Sequence, residues 1–160
     1  MKKIKLAKLF EIINTHNGKV GSYLILLLIL LISSSVLLRY CFSIGFTWLQ
    51  DFYIWVHAIL LMLGMSYTLN KNDHVRIDLF YRKFSLNKKR NIDLFGSIIF
   101  GLPLCYFLIF DGYEYFIRSF LISENSKETG GLPNLFILKF FIFLMGNLLF
   151  IEIINKIFKR

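Results

Sequence analysis

Inside a hydrocarbon layer an ionisable side chain is costly, so it marks either chemistry or a protein contact. The apolar runs of this chain hold few of them, and His57, Asp111, Glu114 and Lys139 stand out, with Arg39 and Asp51 at the edges of the first two runs. A b-type haem commonly takes axial histidines from two helices. His57 stands alone, because His16 and His74 fall outside bilayer depth. A packing histidine is favoured over a ligand or proton relay. Asp111 and Glu114 sit near the end of one apolar run and Lys139 near the start of the next, so all three share a similar depth. Lys139 is expected to pair with one of those carboxylates and to fix helix register or a partner contact, because such a pair adds little net stability. Arg39 and Asp51 flank the same link and are expected either to pair or to snorkel separately to the interface.

Other chemistry finds little support. Cys41 and Cys105 are far apart, without a second Cys or His at ligand spacing, and read as small apolar fillers with free thiols. No nucleophile–base constellation, phosphate loop or metal-ligand cluster stands out. Asp111-Gly112 hints at a phosphatidyl-transferase motif, but the further acidic residues it requires are missing. Gly/Pro-broken helix pairs and inverted halves, which build a substrate site at the midplane, are not recognisable either. No catalytic residue, cofactor or metal is expected, and the chain reads as an accessory membrane subunit, not an enzyme.

The elements that carry these residues are set by solvation. The 160 residues are 56% hydrophobic with a mean hydropathy of +0.61, and only 18% are charged, which is low for a soluble domain. The net charge of +9 is not spread over a folded polar face, as nucleic-acid binding would need, but is gathered between apolar runs. The expectation is an all-α integral membrane protein of one domain. Four spans fall at about 20–38, 52–69, 91–116 and 132–154, each long enough to cross a layer about 30 Å thick. The first follows a basic start, as a signal peptide would, but it is too long and lacks a small-x-small cleavage site. It is read as a retained span. Residues 1–19 form either a cytoplasmic amphipathic helix in the headgroup plane or a solvated tail.

The basic loop 70–90 is expected to hold a short interfacial helix in which Asp73 caps the start and Val75, Leu79, Phe80 and Phe84 form the greasy face. The alternation of Val75, Ile77 and Leu79 also fits a strand, but an isolated strand beside a bilayer leaves its backbone unpaired. On the second span His57 and Gly64 share a stripe, which suggests a helix–helix contact. Gly96, Gly101 and Pro103 allow close packing or a mild kink in the third. Pro133 is placed in the first turn of the fourth. All but four of the 19 Lys and Arg residues, namely Arg39, Arg118, Lys127 and Lys139, lie on one side of these spans. Both termini and the 70–90 loop are therefore expected in the cytoplasm, with 119–131 as a periplasmic link.

A resemblance emerges from the ordered residues. Arg39-Tyr40 closes span one and Phe46-Thr47-Trp48-Leu49-Gln50-Asp51 opens span two. Then come Leu63-Gly64-Met65-Ser66-Tyr67-Thr68-Leu69 and His74-Val75-Arg76-Ile77-Asp78-Leu79-Phe80-Tyr81. Asp111-Gly112-Tyr113-Glu114, Ser123-Glu124-Asn125-Ser126, Gly130-Gly131-Leu132-Pro133 and Lys139 complete the set. In order and spacing this resembles the small membrane subunit, DctQ-like, of tripartite ATP-independent periplasmic (TRAP) transporters, over nearly the whole chain after about residue 20. Asp51, where a glutamate is more usual, and Glu152-Ile153, where many relatives carry a glutamine, depart from the pattern.

The resemblance implies a scaffold subunit in the bacterial inner membrane, within a sodium-coupled importer of organic acids. Its partners would be a large DctM-like membrane subunit, a periplasmic substrate-binding protein and phospholipid. Arg39, Trp48, Asp51, His57, His74, Arg76, Asp78, Asp111, Glu114 and Lys139 become candidates for subunit contacts or structural roles. Glu124, Lys127 and Glu128 become candidates for docking the binding protein, or else form a solvated loop. Gly130, Gly131 and Pro133 would set the turn into span four. The alternatives are a small membrane redox or enzyme subunit, which needs paired intramembrane histidines or an acidic metal cluster, and a stand-alone exporter, which needs a mid-span carboxylate.

Overall fold

The computed structural model describes residues 2–71 and 84–158. Helix α1 spans Lys2–Phe42 and α2 Thr47–Lys71. Helix α3 spans Leu86–Gly96 and passes through a π turn at Ser97–Gly101 into α4, Leu102–Leu121. Helix α5 spans Phe136–Phe158. Four stretches are long and apolar enough to cross a membrane: His16–Phe42, Thr47–Leu69, Asn87–Leu121 and Phe136–Ile157. The all-helical, four-span architecture expected from the sequence is thus present, with shifted boundaries.

The shifts have local causes. Residues 2–19 do not form a separate helix but run unbroken into span one, because no proline interrupts the hydrogen-bond ladder. Gly18 and Gly21 instead serve packing: a Cβ on Gly18 would meet the Tyr67 ring at 2.6 Å, and one on Gly21 would touch Leu60 at 3.5 Å. Span three is longer than 91–116. Pro103 has no N–H for the Ile99 carbonyl, and the ladder loosens just before it, so that the Leu102 N–H donates five residues back to Ser97. The π turn falls where close packing or a mild kink is expected, and a Cβ on Gly101 would meet Ile153 at 2.7 Å. Helix α4 runs to Leu121, so the link between α4 and α5 is 122–135. Pro133 lies in that link, three residues before α5, not in the first turn of span four. The interfacial helix expected in the 70–90 loop, with His74, Arg76 and Asp78, falls outside the described residues apart from its end.

Packing runs chiefly α1 on α2, α2 on α5 and α5 on α4, with a small contact between α1 and α5, and α1 and α4 share no packed face among the described residues. The spans therefore stand in a row, with α5, last in the chain, between α2 and α4. Burial follows that order: 28% of the most apolar stretch is buried in α5 and 17% in α2, the two helices with a neighbour on each side, against 6% in each edge helix. On α4 the residues facing α5 recur every seven positions, Cys105, Gly112 and Ser119, all small and buried. This spacing keeps one seam against the neighbour. Small residues let the backbones approach. A Cβ on Gly146 of α5 would lie 2.7 Å from Leu108 Cβ and 3.0 Å from the Leu108 carbonyl carbon, and Gly112 sits against the Phe143 backbone. Below this crossing Cys105, Leu149 and Ile153 form a small core, with Leu69, Leu102, Leu108, Ile109, Met145 and Ile157 around it.

Candidate functional site

One end of the row is held by a clamp built from the 122–135 link. Glu124 N–H donates to the Ser119 carbonyl at 3.0 Å, and the Glu124 carbonyl accepts from Leu135 N–H at 2.8 Å. Ser126 N–H donates to the Leu132 carbonyl at 3.0 Å, and Asn134 N–H to Asn125 Oδ1 at 3.2 Å. Two of these bonds satisfy backbone donors ahead of α5 that no helical carbonyl can reach. Positive φ values at Ser123, Gly130 and Asn134 let the chain reverse within so few residues.

The α2 helix joins this clamp through Asp51, whose Oδ2 accepts the Leu132 N–H at 2.9 Å. Gly131 is pressed against the Asp51 carboxylate and the Ser126 side chain, and any Cβ there would collide with both. Asp51 is thus an acceptor for the link and not a partner of Arg39, which is exposed and has no ion pair among the described residues. A fixed, charge-assisted acceptor for a loop donor is a stronger use of that carboxylate than an exposed ion pair.

Lys139 is 5% exposed and pairs with Glu124, with its Nζ also 3.8 Å from the centre of the Tyr115 ring. The expected pairing with Asp111 or Glu114 is therefore corrected. Glu114 bonds Arg118 one turn along its own helix, and Asp111 is exposed. The reason is the fold of the link, which brings Glu124 back over α5, whereas Asp111 points off the α4–α5 seam. The hydrogen bond from Lys139 holds the Glu124 carboxyl below its usual 4.5. The Ser119 hydroxyl, beside it without full hydrogen-bond geometry, acts in the same direction, as do the charges of Lys139 and Lys127. Partial burial works against them.

The other sequence candidates are spread out. Trp48 is exposed at the start of α2 beside Phe46, with ring centres 5.9 Å apart, in keeping with an interfacial pair. His57 is exposed, and a Cβ on Gly64 would meet nothing within 4 Å, so the contact expected on their stripe is not made among the described residues. Lys127 and Glu128 are exposed on the link. Cys41 is exposed and Cys105 buried, both free thiols. Among the described residues no group of His, Cys, Asp and Glu is arranged to hold a metal ion.

Sequence reasoning noted Glu152 only as a departure from the family pattern and gave no role to the polar groups in the half of α5 away from the clamp. Glu152 is 4% exposed and Asn155 is 8% exposed, and Asn155 Nδ2 lacks a hydrogen-bond partner among the described residues. Their i, i+3 spacing on an apolar helix was the available signal.

The family model for the DctQ component of tripartite ATP-independent periplasmic transporters matches residues 28–160. No individual curated protein matches the chain. Four apolar spans held in a row by a clamp at one end, together with a match over most of the length, lead to one conclusion: the chain belongs to the DctQ family, the small inner-membrane component of TRAP transporters.

Proposed function

We propose that this subunit is the static wall of a sodium-coupled, binding-protein-dependent importer of organic acids, bracing the large membrane subunit while that subunit moves substrate. A DctQ component is part of a transporter and works with a large membrane subunit and a periplasmic binding protein. The observation that carries the bracing role is the open row. Edge helices with 6% of their apolar stretch buried must be covered by lipid or by another protein, and a row presents a broad flat face to lean against. The clamp adds rigidity at one end, since it ties α2, α4 and α5 through Asp51, Glu124 and Lys139.

The basic ends define orientation in this reading. Lys19, Lys88, Lys89, Arg90 and Lys156 sit at the end of the row opposite the clamp, which would be the cytoplasmic end, with both termini there. The clamp then faces the periplasm, and Lys127 and Glu128, exposed beside Glu124, are available to the binding protein. The test is reconstitution. Vesicles holding both membrane subunits take up an organic acid when binding protein and a sodium gradient are supplied. Vesicles holding the small subunit alone do not, nor does it bind sodium by itself. Sodium-dependent uptake by the small subunit alone would refute the reading.

A further inference from the structure

The seam that α4 turns to α5 is not its only one. About a third of a turn away, Phe100 in the π turn and Leu104, Phe107, Asp111, Glu114, Arg118 and Leu121 in α4 recur at alternating steps of four and three, and every one is exposed. That spacing is the signature of a helix surface prepared for another helix at a shallow crossing angle. Among the described residues nothing fills it.

Two grooves show which side of the row this seam occupies. An outer groove of about 480 Å³ is lined by Phe107, Asp111, Tyr115 and Arg118 of α4 and Ile142 of α5. An inner groove of about 410 Å³ runs between α2 and α4, walled by Met65, Leu69 and Leu104 and floored by Leu149 and Ile153 of α5. Leu104 and Asp111 are seven residues apart on α4, as are Ile142 and Leu149 on α5, so both grooves open on one face. The exposed stripe Ile54, His57, Leu61 and Met65 of α2 reaches the inner groove through Met65. His57 lies ten residues after Thr47 and Asp111 ten residues before Leu121, which sets the two at similar depth.

Asp111 says what covers this face. Apolar side chains stand exposed on both sides of it along α4, Phe107 and Phe110 before it and Phe120, Leu121 and Ile122 after it. Its carboxylate is therefore not at the edge of the apolar surface but within it. Glu114 is taken by Arg118, Asp51 by Leu132 and Glu124 by Lys139, while Asp111 has no partner among the described residues. Lipid tails offer such a group nothing, whereas a helix carrying a cation or hydrogen-bond donor does.

We infer that the face bearing His57, Gly64, Phe107 and Asp111 is where transmembrane helices of the large subunit dock, and that one of them presents a basic or donor side chain to Asp111. The inference rests on assembly with the large subunit and adds which face makes it. The opposite face, with Tyr106, Tyr113 and Phe120, is left to lipid.

The test places a photo-cross-linking amino acid at Phe107 or at Tyr106 in the otherwise unchanged chain, co-expressed with the large subunit in native membranes. Phe107 is expected to capture the large subunit and Tyr106 is not. A reversed pattern, capture of a second copy of this chain from Phe107, or capture of lipid alone from both positions overturns the inference. Recovery of the large subunit on a tagged, unmodified small subunit is scored separately. Its loss would count against the assembly itself, not against the choice of face. In the same assay Asp111→Leu is expected to lower that recovery about tenfold and Asp111→Asn by much less, because an amide still accepts a hydrogen bond. Equal recovery with Asp111→Leu overturns the role given to the carboxylate.

Discussion

Lys139 and Glu124 show how one buried cation decides the course of a loop. The pair closes the link over the start of α5, and Tyr115 covers the ammonium from α4. Because the carboxyl is held below 4.5 when folded, its contribution is complete above that value and is lost as pH falls through the lowered folded value. The unfolding midpoint of the purified subunit should therefore drop on acidification below about 4.5 more steeply for the natural chain than for Glu124→Gln. Lys139→Met should likewise flatten that dependence, since it removes the bond that shifts the carboxyl. Identical acid profiles for all three proteins would show that the pair contributes nothing. The presence of a pairing at Lys139 was legible in the sequence, because a lone ammonium so near a span needs a partner. Its identity was not. Depth counted along helices puts Asp111 and Glu114 level with Lys139, but only the reversals at Ser123 and Asn134 reveal that Glu124 comes back over it. Asp51 escaped for a similar reason, since its partner is a backbone N–H in a loop far along the chain.

At the scale of the helix, the spans were readable because hydropathy and length are nearly sufficient when lipid is the solvent. Helix ends were less readable. Pro133 is compatible with a first turn, yet the hydrogen bonds of Leu132 and the positive φ of Asn134 hold the chain in the link until Phe136. The glycines separate two kinds of helix surface. Gly146 touches the α4 backbone, so Gly146→Leu should force the α4–α5 crossing apart and destabilise the purified subunit by about 2–3 kcal/mol. Gly64 faces open space, so Gly64→Leu should leave that stability nearly unchanged and weaken recovery of the large subunit instead. Denaturation curves and co-purification, taken together on both variants, check this contrast. A stability loss at Gly64 equal to that at Gly146 would mean the two surfaces do not differ in kind.

For the whole molecule, the order α1, α2, α5, α4 could not be drawn from hydropathy, which identifies spans without their neighbours. Four apolar helices are equally compatible with a closed bundle. The row follows from where small residues and seams fall: Gly18 and Gly21 against Tyr67 and Leu60, and Gly112 and Gly146 at the α4–α5 crossing. A wall must keep its shape while the subunit beside it moves, and this is open to direct measurement. Spin labels on the exposed Cys41 at the clamp end of α1 and on Ile122→Cys at the clamp end of α4 report the width of the row within the assembled transporter. Three steps between neighbouring helix axes predict a separation of about 20–30 Å, unchanged when substrate-loaded binding protein and sodium are added. A separation near a single step of about 10 Å, or one that shifts during transport, would contradict the account of this subunit as a static wall.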